Sequence, residues 1–283
     1  MRNNEERLGA QIHQQSVIPP QQIFQQNSAG PQLSFVALTE FVDLPSKGKF
    51  YPEGHPLKGK ETIEIKQMTA KEEDILTNRS FLKKAIALEK LLESLVVDRS
   101  INTSELLICD RNAILVAARI TAYGNTYTTQ ITCPSCEKKI KNSFDLFEKV
   151  EDWKEAEEAS PIEVDGNGIF KITLPATKWV VECRALTGTD EKKLLGAITN
   201  KTKEEFTLID QLKMLIVSVQ GVQDKAIVSQ AIEVMPAADS KYLRKHYDAA
   251  IPSLNLRNTF VCKECDHEEV MEVPLTADFF WPK

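Results

Sequence analysis

Apolar and polar positions along residues 69–123 recur with helical spacing. Leu82, Ile86, Leu88, Leu91, Leu92 and Leu95 fall on one broad face. Thr69-Ala70-Lys71-Glu72 is a capping-box pattern that opens this helical region. A further helix is expected from Asp110, as its N-cap, to Gly124, as its stop. Its interior, Ala113-Ile114-Leu115-Val116-Ala117-Ala118, is wholly apolar and predicts a buried central helix. In the second half, Phe206, Leu208, Ile209, Leu212, Leu215, Ile216 and Val219 predict another helical face, ended by Gly221. The helix after Asp239 is more polar, with Lys241, Arg244, Lys245, His246 and Asp248, and is expected to be exposed or in contact with a partner. Strand-like runs cover Thr126 to Ile131, Ile140 to Phe144, Leu256 to Val261 and Val270 to Val273.

The pattern occurs twice. Asp110 precedes Cys133 by 23 residues, and Asp239 precedes Cys262 by the same 23. In each half a helix-like run, a strand and a Cys-x-x-Cys turn follow the aspartate. Upstream, Ile63–Thr69 and Val181–Thr187 both alternate as strands, end in Thr and run into acidic helix starts. Thr187 to Asp239 spans 52 residues against 41 for Thr69 to Asp110, so the second copy is expected to carry an insertion. The expected fold is α+β: two similar helix-rich halves related by internal duplication, each ending in a β-hairpin zinc knuckle. The expected domains are a flexible Gln/Pro-rich tail at 1–35, a first half at 36–150, an acidic linker at 151–169 and a second half at 170–283. Ile18, Ile23, Phe24 and Phe35 give the tail apolar anchors for a partner.

Between Leu44 and Leu57 three prolines and two glycines predict a turn-rich segment clipped to the core by Leu44, Phe50, Tyr51 and Leu57. It lacks the spacing of a phosphate-binding loop. Asp165-Gly166-Asn167-Gly168 reads as a turn entering a strand, and these residues with Asp152 lack calcium-loop spacing.

Composition narrows the function. A net charge of -6 argues against a dominant nucleic-acid surface. No apolar run reaches the roughly 18–20 residues of a membrane span. The N-terminal stretch has no secretory apolar core, so the six cysteines are expected to be metal ligands and buried thiols rather than a disulfide framework. Cys109 and Cys183 sit in apolar surroundings and read as packed thiols.

Cys133-Pro134-Ser135-Cys136 and Cys262-Lys263-Glu264-Cys265 carry the chemistry. Each can grip one face of a tetrahedral zinc, and together they supply four sulfurs. A one-piece zinc ribbon separates its pairs by roughly 15–20 residues, but here the gap is 125. A pseudo-twofold between the halves would close it, giving one structural zinc per chain at Cys133, Cys136, Cys262 and Cys265. Cys-Pro-Ser-Cys also has redox spacing, but such motifs start a helix that lowers the thiol pKa, and Glu137 opposes that effect. The four histidines are scattered, and no catalytic residues, small-molecule substrate or enzymatic activity are expected.

Leu44-Pro45-Ser46-Lys47-Gly48-Lys49-Phe50-Tyr51-Pro52, Met68 to Leu76, Asp110-Arg111-Asn112-Ala113 and Cys133-Pro134-Ser135-Cys136 together resemble the baseplate hub protein family of contractile-tailed bacteriophages. The likeness covers roughly residues 40 to 280. It implies a structural or assembly role in the tail baseplate hub, with other hub and tail proteins as partners. The implied location is the host bacterial cytoplasm during assembly, or the virion tail. The competing reading is a zinc-ribbon nucleic-acid-binding protein. Lys138, Lys139, Lys141 and Lys263 favour it, while Glu264, Asp266, Glu268 and Glu269 offset the second tip.

Overall fold

A computed structural model describes residues 38–147, 163–199, 207–254, 256–272, 275 and 277–280. The 1–35 tail, most of the acidic linker, Phe206 and the Trp281-Pro282 ending lie outside the described residues. The first half runs β1 (Thr39–Asp43), β2 (Thr62–Lys66), α1 (Ala70–Thr77), α2 (Arg79–Lys83), α3 (Ala87–Leu95), α4 (Ile108–Tyr123), β3 (Thr126–Thr132) and β4 (Lys139–Asp145). The second runs β5 (Ile169–Thr173), β6 (Val180–Arg184), α5 (Gly188–Thr199), α6 (Leu208–Leu215), β7 (Ile216–Val219), α7 (Lys225–Glu233), α8 (Ala237–Ala250), β8 (Arg257–Val261) and β9 (Glu268–Glu272). The mixture is α+β. The strands form antiparallel hairpins β1-β2, β3-β4 and β8-β9 and a three-stranded sheet β5-β6-β7.

Local chemistry accounts for most boundaries. Thr69 and Glu72 close the expected capping box at α1. α3 buries Ala87, Leu91, Leu92 and Leu95 along one stripe, and α4 buries Ile114, Leu115, Val116 and Ala118. The helix expected to reach Gly221 stops at Leu215 instead. Ile216-Val217-Ser218-Val219 is β-branched in three of its four residues, and it pairs with β6 as a third strand.

The helices expected to begin at Asp110 and Asp239 start earlier, at Ile108 and Ala237. Neither aspartate is an N-cap, because each carboxylate reaches across to a distant loop. Asp110 accepts the Ser46 N–H at 3.0 Å, the Ser46 hydroxyl at 2.6 Å and the Tyr51 hydroxyl at 2.9 Å. Asp239 accepts the N–H groups of Ala176 and Thr177 at 2.8 and 2.9 Å and the Thr177 hydroxyl at 2.7 Å. Both are fully buried. Burial pushes the Asp110 carboxyl above its ordinary value. At Asp239 burial acts in the same direction, but the two N–H donors and the hydroxyl outweigh it. The gripped loops begin alike, Leu44-Pro45-Ser46 and Leu174-Pro175-Ala176, and both leucines are fully buried.

The turn-rich segment clips on as its residues predict, with Leu44, Tyr51 and Leu57 buried. Gly48 has φ +68°, and a Cβ there would lie 2.3 Å from the Leu57 carbonyl, so no other residue fits. Gly168 likewise admits the Phe50 carbonyl where a Cβ would stand, and Phe50 meets Phe170 edge-on at 5.9 Å. His55 stacks on Tyr51 within this segment.

The two halves share one continuous core. Antiparallel backbone bonds join them: Ile108 N–H to Leu186 O at 3.0 Å and Gly188 N–H to Leu106 O at 2.9 Å. Arg111 pairs with Glu191 beside them. The polar helix α8 is less exposed than its composition suggests. It buries Asp239, Ser240, Leu243 and Ala250, and Tyr247 packs on Phe170 while donating to the Arg184 carbonyl.

Asp110→Ala should cost about 3 kcal/mol in urea unfolding, because three buried donors lose their acceptor. Asp239→Ala should cost less, since the donors it serves lie nearer solvent. A second outcome concerns acid. Burial opposes the charge on Asp190, but Arg184 and Thr187 hold its carboxyl down to about 2. Its folded value lies below its unfolded one, so its stabilisation is present at neutral pH and disappears between about pH 4 and pH 2. Asp190→Asn should therefore be destabilised at pH 7 and match the parent at pH 2 in a pH series of unfolding curves.

Candidate metal centre

Each cysteine pair sits on the turn of a hairpin. In β3-β4, Thr132 pairs with Lys139, and the six residues between them form the turn. Inside it the Cys133 N–H donates to the Lys138 carbonyl at 2.9 Å, and the Glu137 N–H donates back to the Cys133 carbonyl at 2.9 Å. Glu137 takes a left-handed φ of 57° to close the loop. In β8-β9 the same bonds run from Cys262 to His267 at 2.9 Å and from Asp266 to Cys262 at 3.0 Å, with Asp266 at φ 55°. Two turns 129 positions apart thus share backbone bonds and dihedral signature. Both are strand-to-strand turns. Neither opens a helix, so no helix terminus acts on either pair of thiols.

Although 125 residues separate the turns, the fold brings their thiols together. The four Sγ atoms lie within 4.8 Å of one another. Cys133 is 3.7 Å from Cys265, and Cys136 is 3.7 Å from Cys262. The first cysteine of each turn thus meets the second of the other, as a twofold arrangement requires. A disulfide would need about 2.0 Å, which excludes that bond here. A tetrahedral ion with metal–sulfur bonds of about 2.3 Å sets its sulfurs about 3.8 Å apart. The two cross-turn pairs match that spacing and all four thiols lie within 4.8 Å, so the cluster could hold a metal ion.

The surroundings suit thiolates. Burial opposes ionisation of Cys133, but N–H groups of Cys136 and Ser135 and the neighbouring thiols bring it down to about 6. The N–H of Lys138 favours the Cys136 thiolate, yet burial and the adjoining sulfurs hold its proton up to about 12. The His267 N–H plays the Lys138 part at Cys265, whose proton is nonetheless held by its neighbours. Four thiols this close cannot all ionise unaided, and a divalent cation is what would release the remaining protons. Cys133 and Cys262 are buried and Cys265 is exposed. Across the tips, Lys138 pairs with Glu264 and links the two turns a second time.

The other two cysteines stand apart. Burial raises the Cys109 thiol well above its ordinary value and pushes Cys183 up to about 12. They are packed thiols, as their surroundings predict.

Arg119 lies in the last turns of α4. It is buried, and its guanidinium donates to the carbonyls of Phe279, Gly124 and Thr126. It also lies 5.1 Å from the Tyr123 ring centre. No periodicity signals such a role, because its partners are backbone carbonyls, one of them 160 positions away.

The protein should take up one equivalent of Co²⁺ with the absorption of a tetrathiolate site. Cys133→Ser should weaken that uptake strongly, and Cys109→Ser should leave it unchanged. Because the ion would bridge both turns, Cys133→Ser should also speed amide exchange in the intact β8-β9 hairpin.

Among known proteins, residues 37–170 match the family model described as T4 bacteriophage base plate protein. No curated protein and no solved structure matches the chain. The matched segment carries β1 to β4, the Asp110 grip and the first cysteine turn. Over residues 37–170, somewhat under half of its length, the chain is thus similar to phage base plate proteins.

Proposed function

We propose that this chain is a structural and assembly component of the tail baseplate hub of a contractile-tailed phage. It acts by binding other hub and tail proteins, in the host cytoplasm during assembly or in the virion tail, and it has no active site. One structural zinc, held by Cys133, Cys136, Cys262 and Cys265, ties its two halves together. The match of residues 37–170 to a base plate family carries this reading. The zinc rests on the chemistry of the donors: four thiols give a closed set, with no position left for a substrate water. No helix among the described residues is long and apolar enough to cross a membrane.

The two halves are, on this reading, copies of one unit: 36–150 and 170–283, with an acidic linker at 151–169. Spacing supports the duplication. Leu44 and Leu174, Thr69 and Thr187, Asp110 and Asp239, and Cys133 and Cys262 hold matching places in the two halves and make matching bonds. The third strand β7 has only a shadow in the first half, a single bridge between Ile65 and Val96.

The lysines at the hairpin tips favour the nucleic-acid alternative, but Glu264 neutralises Lys138 and acidic residues crowd the second turn. Disrupting the gene in a phage distinguishes the two. The hub reading expects filled heads, no attached contractile tails and baseplates stalled before hub completion. Normal tails with a defect in replication or transcription would reject it in favour of nucleic-acid binding.

A further inference from the structure

The two hairpin tips match in backbone but oppose each other in charge. Counted from the first cysteine of each turn, Lys139 corresponds to Glu268, Ile140 to Glu269 and Lys141 to Val270. The ladders agree, since Thr132 pairs with Lys139 at the same step from the turn as Val261 pairs with Glu268. The cross-turn sulfur pairs show the two turns facing each other as a twofold requires.

An open groove of about 520 Å³ lies where β4 passes the second turn. Lys138, Lys139, Ile140 and Lys141 of the first hairpin line it, with Lys263 and Glu264 of the second. Glu264 is taken by Lys138, so Lys139, Lys141 and Lys263 leave the groove positive. The corresponding flank on the other side is negative. There β9 presents Glu268 and Glu269, with Asp266 beside them in the turn, and all three are exposed. Lys139, Lys141, Lys263, Asp266 and Glu268 have no ion-pair partner among the described residues. The two flanks are related by the twofold of the turns and point in opposite directions, so they cannot neutralise each other within one chain.

From this complementarity we propose that the basic groove of one copy receives the acidic β9 flank of a second copy of this chain. Glu268 enters between Lys139 and Lys141. Val261 and Val270, exposed on the same face as Glu268, lie against Ile140 and the aliphatic stems of the lysines. A nucleic acid would use the same lysines, but the acidic flank would then be idle and would repel it. Groove and flank stand on opposite sides, so the contact is head-to-tail. Each bound copy still offers a free groove or a free flank, and assembly proceeds to a ring or a filament. This inference does not rest on the base plate reading.

Sedimentation of the full chain over a concentration series, in about 20 mM and about 300 mM salt, tests it. The parent should associate at low salt and dissociate at high salt, because the contact joins exposed charges. The double variants Lys139→Gln/Lys141→Gln and Glu268→Gln/Glu269→Gln should each weaken association at least about tenfold. Both should keep the parent's thermal unfolding, since the altered side chains are exposed. Mixed together, the two variants should pair and stop at two copies, because one keeps its flank and the other its groove. The proposal is overturned if the parent stays monomeric at low salt, if either variant associates as the parent does, or if the mixture fails to pair. A monomeric parent that binds a single-stranded oligonucleotide, with binding lost in Lys139→Gln/Lys141→Gln, would also overturn it and make nucleic acid the occupant.

Discussion

Two buried carboxylates determine where everything else in this protein sits. Asp110 and Asp239 each stand at the third residue of the helix that leads into a cysteine hairpin. Each holds the loop that ends the first strand of its own half. Loop, helix and hairpin are therefore a chain of fixed joints. Once the carboxylate is seated, helix length and the following strand place the cysteine turn. The same 23-residue interval from aspartate to first cysteine recurs in both halves, so both turns are delivered by the same lever. Fixing one end of such a lever with a multiply bonded buried carboxylate is costly in desolvation, and the three donors at each site offset that cost.

The levers must also point at each other. The backbone pairing of Leu106–Ile108 with Leu186–Gly188 does this by joining the two halves near the starts of α4 and α5. With that joint formed, the 125-residue separation of the turns carries little entropic penalty for meeting, because the intervening chain is already ordered by its core. An ion at the four thiols would then act on a preformed cluster. Its binding energy would go into holding the two hairpins rigid rather than into collapsing an unfolded chain.

Much of this was legible in the residues, and the omissions have physical causes. The cysteine spacing, the Thr-led helix starts and the apolar stripe of α4 are local patterns with local mechanisms, and they read correctly. The shared spacing marks both aspartates, but at its helix start Asp110 reads as a cap. A carboxylate near a helix start satisfies the same pattern whether it turns back to its own helix or reaches a loop 64 positions away. The likeness of Leu44-Pro45 and Leu174-Pro175 is masked in the sequence by the very different lengths of the loops that follow. The run from Ile216 to Val219 has apolar residues that suit either period, and only its pairing with β6 decides between them. Which backbone groups of β1 face β2 depends on register, which no local pattern in the sequence shows.

Buried polar groups in this molecule concentrate at joints between elements remote in sequence, and Arg119 completes that pattern. Its guanidinium binds the carbonyls at the end of α4 and the start of β3, and it also binds the Phe279 carbonyl from the C-terminal turn. Phe279 packs on Tyr127 at 5.0 Å, so the last described residues of the second half brace the root of the first hairpin. Burial lowers the guanidinium pKa from its ordinary value, against the pull of the Tyr123 and Tyr127 hydroxyls. The first hairpin is thus held at its root by Arg119 and Phe279, while its tip meets the second hairpin at the Lys138–Glu264 pair and at four thiols that could share an ion. An ion at the thiols would pin the hairpin at both ends.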